Sequence, residues 1–287
     1  MKRSRGPHRK SAVSWGGDVS YGYVALAAVL LICVIALPLA VALVGGATHY
    51  GEVFSDRELG KVAFNTAAFA FASVSLEMCL GLLFAIVLHQ TFLLRGIVRA
   101  IALIPWALPT AVMAMSWKWI FNDSYGVAND LAIRLSLVGH GIAWLGRPGA
   151  AFAAIVLADV WKTTPFVTII LLAGLQSIPR DLYDAMSIDG AGPLQRFRLV
   201  TLPLLRPSIA LALTFRLIQA IGIFDLVRVM TGGGPADSTK TVALYIYDVL
   251  ISYGMPEYGA ALTGVVALAT FLVAATFGAL ARGRARA

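Results

Sequence analysis

Six long apolar stretches, separated by short polar segments, dominate the hydrophobic pattern of this chain. About 20 consecutive apolar residues are needed to cross the ~30 Å hydrocarbon core of a bilayer. A spanning stretch finds no water there, so it must satisfy its own backbone hydrogen bonds as a helix. The windows lie at about residues 23–44, 62–88, 97–121, 150–175, 207–229 and 258–280. The pattern predicts an all-α integral membrane protein with six transmembrane helices.

Prolines are expected to bend two of these windows. Pro105 and Pro109 lie in the third span and Pro165 lies in the fourth. Because proline lacks an amide hydrogen and clashes with the preceding turn, we expect a bend in both spans.

Composition agrees with a membrane location. Of 287 residues, 59% are hydrophobic and 13% are charged, and the mean hydropathy is +0.80, whereas soluble domains carry roughly 25% charged residues. The net charge is +8, but the cations lie mainly in short loops and tails, which is typical of membrane topology and not of nucleic-acid binding. Cys33 and Cys79 lie in apolar stretches without a Cys-x-x-Cys motif, so we expect no metal site.

The Lys and Arg residues predict the orientation. With the N-terminus inside, the cytoplasmic segments carry 14 of these cations and the outer loops carry 5. This asymmetry predicts two cytoplasmic tails, residues 1–22 and 283–287, around a transmembrane domain of residues 23–282. It also places the polar segment 180–206, between the fourth and fifth spans, in the cytoplasm.

This polar segment contains a spaced motif. Asp184-Ala185-Met186 is followed after three residues by Gly190, and after nine more by Val200-x-Leu202-Pro203. The segment resembles the cytoplasmic coupling loop of permease subunits of binding-protein-dependent ABC importers, whose pattern is Glu-Ala-Ala, three residues, Gly, nine residues, Ile-x-Leu-Pro. Asp189, Gly192 and Pro193 are further similar to the sugar-importing branch.

The resemblance implies a type I ABC importer permease fold and one permease subunit of a carbohydrate importer of the maltose/glycerol-3-phosphate type. The implied partners are a second related permease, two ATPase subunits, an extracytoplasmic sugar-binding protein and membrane lipid. The implied location is the cytoplasmic membrane of a bacterium or archaeon. The implied coupling residues are Asp184, Ala185, Met186, Asp189, Gly190, Gly192, Leu202 and Pro203.

The chain has no phosphate-binding loop of its own. No Gly-x-x-x-x-Gly-Lys-Ser/Thr pattern occurs in the sequence. We therefore expect that the chain is not an enzyme and holds no cofactor, and that ATP and Mg²⁺ bind to the separate ATPase subunit.

Local sequence predicts the shape of the coupling segment. Residues 180–188 can form about two turns of helix, and Gly190 then releases the backbone. Pro193 can start a second short helix through Val200, which Pro203 and Pro207 would end. We expect a helix–turn–helix projection on the membrane surface.

Polar residues within the spans are candidates for a substrate path, because buried charge in a bilayer is costly. Asp159 and Lys162 in span four, and Arg216 and Gln219 in span five, are predicted near the midplane. Lys162, Arg216 and Gln219 are therefore predicted path residues, with Trp161, Phe166 and Phe224 as aromatic faces for a sugar ring. The alternative is an interhelical salt-bridge lattice, in which Glu77 serves as a structural hydrogen-bond partner.

Other functions remain open on the sequence alone. An ion-coupled secondary transporter could use Asp159 and Glu77 as proton carriers, but six spans without an inverted repeat argue against it. An intramembrane enzyme is less favoured, because His-Glu-x-x-His and Gly-x-Ser-x-Gly motifs are absent. The glycine-rich loop 231–239 is either a turn before the last span or a contact for the binding protein.

Overall fold

The computed structural model describes residues 17–283, and every regular element within this range is helical. Side chains are described for residues 22–279. The predicted cytoplasmic tails, residues 1–22 and 283–287, therefore lie for the most part outside the described residues. The all-α fold predicted from the apolar pattern is confirmed.

The first half of the chain forms eight α-helices. The first two are joined by a π-helical turn at Ile32–Ala36 into one continuous apolar helix. The helices are α1 (Gly17–Leu31), α2 (Leu37–Gly45), α3 (Tyr50–Ser55), α4 (Arg57–His89), α5 (Arg95–Ala107), α6 (Thr110–Ile120), α7 (Val127–Arg134) and α8 (Pro148–Gln176).

The second half forms six more α-helices, again with π-helical turns at Phe197–Thr201 and Asp248–Ser252. The helices are α9 (Arg180–Ile188), α10 (Pro193–Arg196), α11 (Leu202–Ile221), α12 (Asp225–Met230), α13 (Val242–Tyr247) and α14 (Pro256–Gly283). Across the described residues, five continuous helices are long and apolar enough to cross a membrane, and a bent pair supplies a sixth crossing if it is counted as one span.

The bent pair is α5 and α6, which meet at 90°. The bend that the prolines predict in span three is present, and it is centred on Leu108 and Pro109. A residue before proline is disfavoured in the helical region, and Leu108 is extended, with φ −71° and ψ 138°. Pro105, in contrast, lies inside α5. In span four, α8 continues through Pro165 without a break.

The fifth span differs from the prediction. The helix begins at Pro193 and runs for 29 residues to Ile221, so it begins before the predicted window 207–229 and ends before Val229. The prediction that Pro203 and Pro207 end a short helix is wrong. A π-helical turn lies just before Pro203, where the amide of Leu202 donates to the carbonyl of Phe197. This wider turn lets the helix continue through Pro203, although proline has no amide hydrogen to donate.

The core is built around α4, α8 and α11, which pack against one another. Gly81 of α4 permits a close approach, since a Cβ there would lie 2.6 Å from Val167 Cγ1 of α8. Small residues at such contacts are typical of helices packed in membranes. Around this centre, α14 packs on α11 and α2, α5 packs on α8, and α12 packs on α6.

Candidate functional site

A buried ion-pair cluster joins the three central helices. Arg216 of α11 donates from Nε to Glu77 Oε2 of α4, and from Nη2 to Glu77 Oε1 at 2.8 Å. Nη2 also donates to Asp159 Oδ2 of α8 at 3.0 Å. Arg216 is 2% exposed and Glu77 is fully buried. Thr163 Oγ1 completes the cluster at 2.6 Å from Glu77 Oε1.

This cluster explains how charge is tolerated in the middle of the bundle. Each buried ion loses hydration free energy on leaving water, and attraction to its partners must compensate for that loss. Removal of one partner therefore leaves an uncompensated buried charge. The guanidinium of Arg216 is mostly occupied by the two carboxylates, as the salt-bridge lattice alternative describes. Its remaining Nη1 donates to Gln219 Oε1 at 2.8 Å, and so positions that amide.

A cavity of about 310 Å³ adjoins the cluster. It brings together four of the six predicted path residues, namely Lys162, Arg216, Gln219 and Phe224. The other residues that line it are Trp106, Thr110, Asp159, Thr163, Gly222, Ile223, Asp225 and Leu226. The cavity therefore combines an amide, charged groups and aromatic faces at one level of the bundle.

The two remaining predicted aromatic residues do not line this cavity. Trp161 packs edge-on against Trp117 of α6, with ring centroids 5.8 Å apart. Phe166 stacks on Trp106 at 5.8 Å, so it supports an aromatic ring that does line the cavity. Sequence reasoning missed Trp106 as a lining residue, although its place between Pro105 and Pro109 at the predicted bend was a usable signal.

Lys162 is fixed by the bend between α5 and α6. Its Nζ donates to the carbonyl of Leu108 at 2.7 Å, and the carbonyl of Trp106 lies at 3.4 Å. The last carbonyls of a helix lack partners within it. The ammonium group therefore caps the end of α5 while it lines the cavity.

The segment predicted to couple to the ATPase, residues 180–206 (the coupling segment), has a defined local structure. Helix α9 has the predicted bounds, Arg180–Ile188, and Gly190 follows with φ +76°, the left-handed conformation that glycine adopts without strain. Arg196 Nη1 donates to Ser187 Oγ at 2.9 Å across the turn. Leu202 and Pro203 lie in the first turn of α11 and not in a separate loop.

The surface of this segment is open to a partner. Asp184, Ala185, Asp189 and Gly190 are exposed, whereas Met186 is half-buried against the apolar cluster beneath α9. Ile188, at the tip, is 87% exposed. Exposed apolar residues beside acidic ones are suited to a protein interface.

At the opposite end, the loop 231–241 is fastened to the start of α4. Lys240 Nζ lies 3.2 Å from Glu58 and 3.3 Å from both Asp237 and Asp248. Burial acts against its charge, but Glu58 and Asp237 hold the pKa of Lys240 above its ordinary value. Asn65 of α4 also donates to the carbonyls of Asp237, at 2.9 Å, and Lys240, at 3.1 Å. The glycine-rich loop is thus anchored at this end of the bundle.

Comparison with known proteins identifies the family. Residues 77–286, most of the chain, match the family described as the binding-protein-dependent transport system inner membrane component. The chain belongs to this family. It is a multi-pass membrane permease of an ABC importer, in which ATP is hydrolysed by a separate subunit, as the sequence predicts.

Among curated relatives, the chain is 46% identical to the trehalose/maltose transport system permease protein MalF of Thermococcus litoralis, over 81% of this chain and 76% of that protein. It is 41% identical to the sulfoquinovosyl glycerol transport system permease protein SmoG of Agrobacterium fabrum, over 81% and 75%. The permease of a bacterial alginate ABC transporter shares the fold, with a TM-score of 0.82 at 19% identity over 92% and 94% of the two chains. The comparisons give no support to a secondary transporter.

Replacement of Gln219 by alanine tests the cavity. We expect transport to fall while the complex still assembles with near-normal thermal stability. The Gln219 side chain is exposed, and water in the cavity can replace the one bond that its Oε1 accepts from Arg216 Nη1. Loss of a hydrogen bond to bound sugar should weaken binding by about 1–3 kcal/mol. Uptake kinetics measure the effect. The control is Ser116→Ala, since Ser116 is an exposed polar residue of α6 that does not line the cavity. Normal uptake by the Gln219→Ala variant would remove this residue from the site.

Proposed function

We propose that this chain is one of two permease subunits of an ABC importer for a neutral sugar, such as a gluco-disaccharide. The observation that carries the proposal is the cavity beside the buried cluster. Its two cations are already engaged, Arg216 by Glu77 and Asp159 and Lys162 by backbone carbonyls. The amide oxygen of Gln219 accepts from Arg216, but its NH2 group remains available in the cavity. Within residues 22–279 the Asp225 carboxylate, which also lines the cavity, has no ion pair. Both groups suit sugar hydroxyls. The names of the relatives at 46% and 41% identity support a sugar or sugar derivative as the substrate.

The aromatic residues of the cavity support the same substrate class. Trp106 and Phe224 both line it, and Trp106 is held by its stacking on Phe166. Phe224 packs on Tyr247, with ring centroids 5.1 Å apart. A pyranose presents hydroxyl groups at its rim and apolar C–H groups on its faces, so it can contact amide and aromatic groups at once.

The proposed assembly contains a second permease, two ATPase subunits that bind ATP and Mg²⁺, and an extracytoplasmic sugar-binding protein. The exposed segment around Asp184 and Ile188 is the proposed docking site for an ATPase subunit. The anchored loop 231–241 is the proposed contact for the binding protein. This assignment places both termini and the coupling segment on the cytoplasmic side.

One continuous helix supports a route for mechanical coupling. The helix that begins at Pro193, next to the exposed segment, also carries Arg216 and Gln219. At 1.5 Å per residue, about 39 Å separate Pro193 from Gln219 along this axis. Helix α9 is tied to it by Arg196–Ser187 and by a 2.9 Å contact between the hydroxyls of Tyr183 and Thr201. Movement of α9 by the ATPase would therefore move the cavity wall as part of a packed body.

Stimulation of ATP hydrolysis tests the proposed substrate. The assembled importer is incubated with its binding protein and either trehalose, maltose or an anionic uronate disaccharide. We expect a neutral disaccharide to stimulate hydrolysis and the uronate to have no effect. Stimulation by the uronate alone would overturn the proposal of a neutral substrate without affecting the family assignment.

The isolated chain provides a further prediction. Because it lacks a phosphate-binding loop, the purified chain is expected to release no phosphate from ATP above background. Addition of the ATPase subunits should restore hydrolysis. Turnover by the isolated chain that is lost on mutation of the chain itself would contradict the proposed division of labour.

A further inference from the structure

A cluster of basic side chains lies where α4, α5 and α9 meet. His89 ends α4, Arg95 and Arg99 lie one turn apart at the start of α5, and Arg180 begins α9. These four residues line one cavity of about 410 Å³. Within residues 22–279, none of the three arginines has a carboxylate within 4.0 Å. The cavity thus concentrates positive charge that the described part of the chain does not neutralise.

Arg99 has spare hydrogen-bonding capacity at the wall of this cavity. Its Nη2 donates to the carbonyl of Leu88 at 2.6 Å, which caps the end of α4 and fixes the guanidinium. Its Nε is buried and has no partner among the described residues. Buried donors are normally paired, so the chain's own groups do not fully satisfy this guanidinium.

An apolar groove continues from the basic cavity. It has a volume of about 290 Å³, and it runs between α5 and α8. Arg99 and Gln176 line both spaces, so the two are contiguous. The groove is lined mainly by aliphatic groups, among them Ala102, Leu103, Ile169 and Ala173. A polar, cationic compartment is therefore joined directly to an apolar one.

We propose that this composite cavity binds one anionic glycerophospholipid, with its phosphate among Arg95, Arg99 and Arg180 and an acyl chain in the α5–α8 groove. Basic pockets between transmembrane helices, near the end of the spans, match the chemistry of anionic lipid headgroups. The bound lipid joins the end of α4, the start of α5 and the start of α9. It therefore stabilises the base on which α9 rests.

The groove distinguishes a lipid from other anions. Free phosphate, or an acidic segment of a partner protein, would satisfy the arginines but would leave the α5–α8 groove empty. A lipid satisfies both compartments at once. The proposal is independent of the transported sugar, because the residues concerned do not line the cavity beside Arg216.

Native mass spectrometry of the purified importer complex tests the proposal, with dioleoyl phosphatidylglycerol and dioleoyl phosphatidylcholine as matched probes. We expect tight binding of phosphatidylglycerol only. Arg95→Gln is expected to weaken this binding roughly fivefold, because each cation near an anionic headgroup contributes a similar amount to the binding free energy. The double variant Arg95→Gln/Arg99→Gln should weaken it more strongly. Ala173→Trp, which fills the groove, should weaken binding without changing the charge. Arg95 and Ala173 are exposed, so both single variants should fold.

Two controls match these changes elsewhere on the chain. Arg206→Gln removes the same charge from an exposed position of α11, and Ala153→Trp adds the same bulk to an exposed position of α8. Neither should alter phosphatidylglycerol binding. Equal binding of the two lipids, or equal loss in Arg206→Gln, would overturn the proposal. So would full competition by soluble glycerol phosphate, which indicates a free phosphate site, or binding that appears only after removal of the ATPase subunits, which indicates an acidic protein segment.

Discussion

Replacement of Arg216 by methionine is expected to destabilise the permease by about 3–5 kcal/mol and to abolish transport. Methionine fills much of the same volume but leaves Glu77 and Asp159 buried without a cation, and these carboxylates then repel each other. The measurements are the yield of the purified complex and the midpoint of its thermal unfolding in detergent, and we expect both to be lower than for the unchanged protein.

The matched control for this variant removes all three charges together. In Glu77→Gln/Asp159→Asn/Arg216→Met, no uncompensated ion is buried, so stability should recover substantially even if transport does not. Lys118→Met is a second control, since Lys118 is exposed on α6 and has no ion pair within the described chain. If Arg216→Met leaves both yield and melting unchanged, the cluster does not hold the three central helices together.

The turn at Gly190 gives the second large expected effect. Gly190→Val should uncouple ATP hydrolysis from transport or weaken binding of the ATPase. A residue with a Cβ at φ +76° costs roughly 1–2 kcal/mol, so the turn should relax and change the orientation of α9. Asp184→Lys should act similarly by reversing the charge of the exposed acidic position. Uptake and hydrolysis by the reconstituted complex are measured in parallel.

The control for Gly190 is a glycine without a special conformation. Gly60 lies inside α4 with free space around it, so Gly60→Ala should leave transport unchanged. A clash is not the cause at Gly190, since a Cβ there would meet nothing within 4 Å, as at Gly60. The two sites differ in backbone conformation, because Gly60 is helical and Gly190 has φ +76°. Tightly coupled transport by both Gly190→Val and Asp184→Lys would refute the proposed role of the segment.

The fold was largely predictable because the length of an apolar stretch and the position of a proline determine the helix in which they lie, without reference to distant residues. Each apolar window overlaps a long helix or the bent pair, and the 90° bend falls where Pro109 restricts Leu108. The continuity of the fifth helix through Pro203 was not predictable from residue type. It depends on a π-helical turn at Phe197–Thr201 and on packing of the following residues, such as the fully buried Leu205.

The candidate site was predictable only in part. The rise of a helix per residue predicted Lys162, Arg216 and Gln219 near the midplane, but it contained no information on which charges would pair across helices. The pairing of Arg216 with Glu77 joins residues 139 positions apart, so it follows from the crossing of α4 and α11. Likewise, the contact of Trp161 with Trp117 joins α8 to α6, so its absence from the cavity lining depends on tertiary packing and not on its place in span four.

Reconstitution in proteoliposomes tests the central claim most directly. The chain is incorporated either alone with a proton or sodium gradient, or together with its second permease, the ATPase subunits and a disaccharide-loaded binding protein. We predict uptake of the disaccharide only by the complete complex, only with ATP and Mg²⁺ on the side of the coupling segment, and with no response to the ion gradients. Uptake by the chain alone, driven by an ion gradient, would contradict the account.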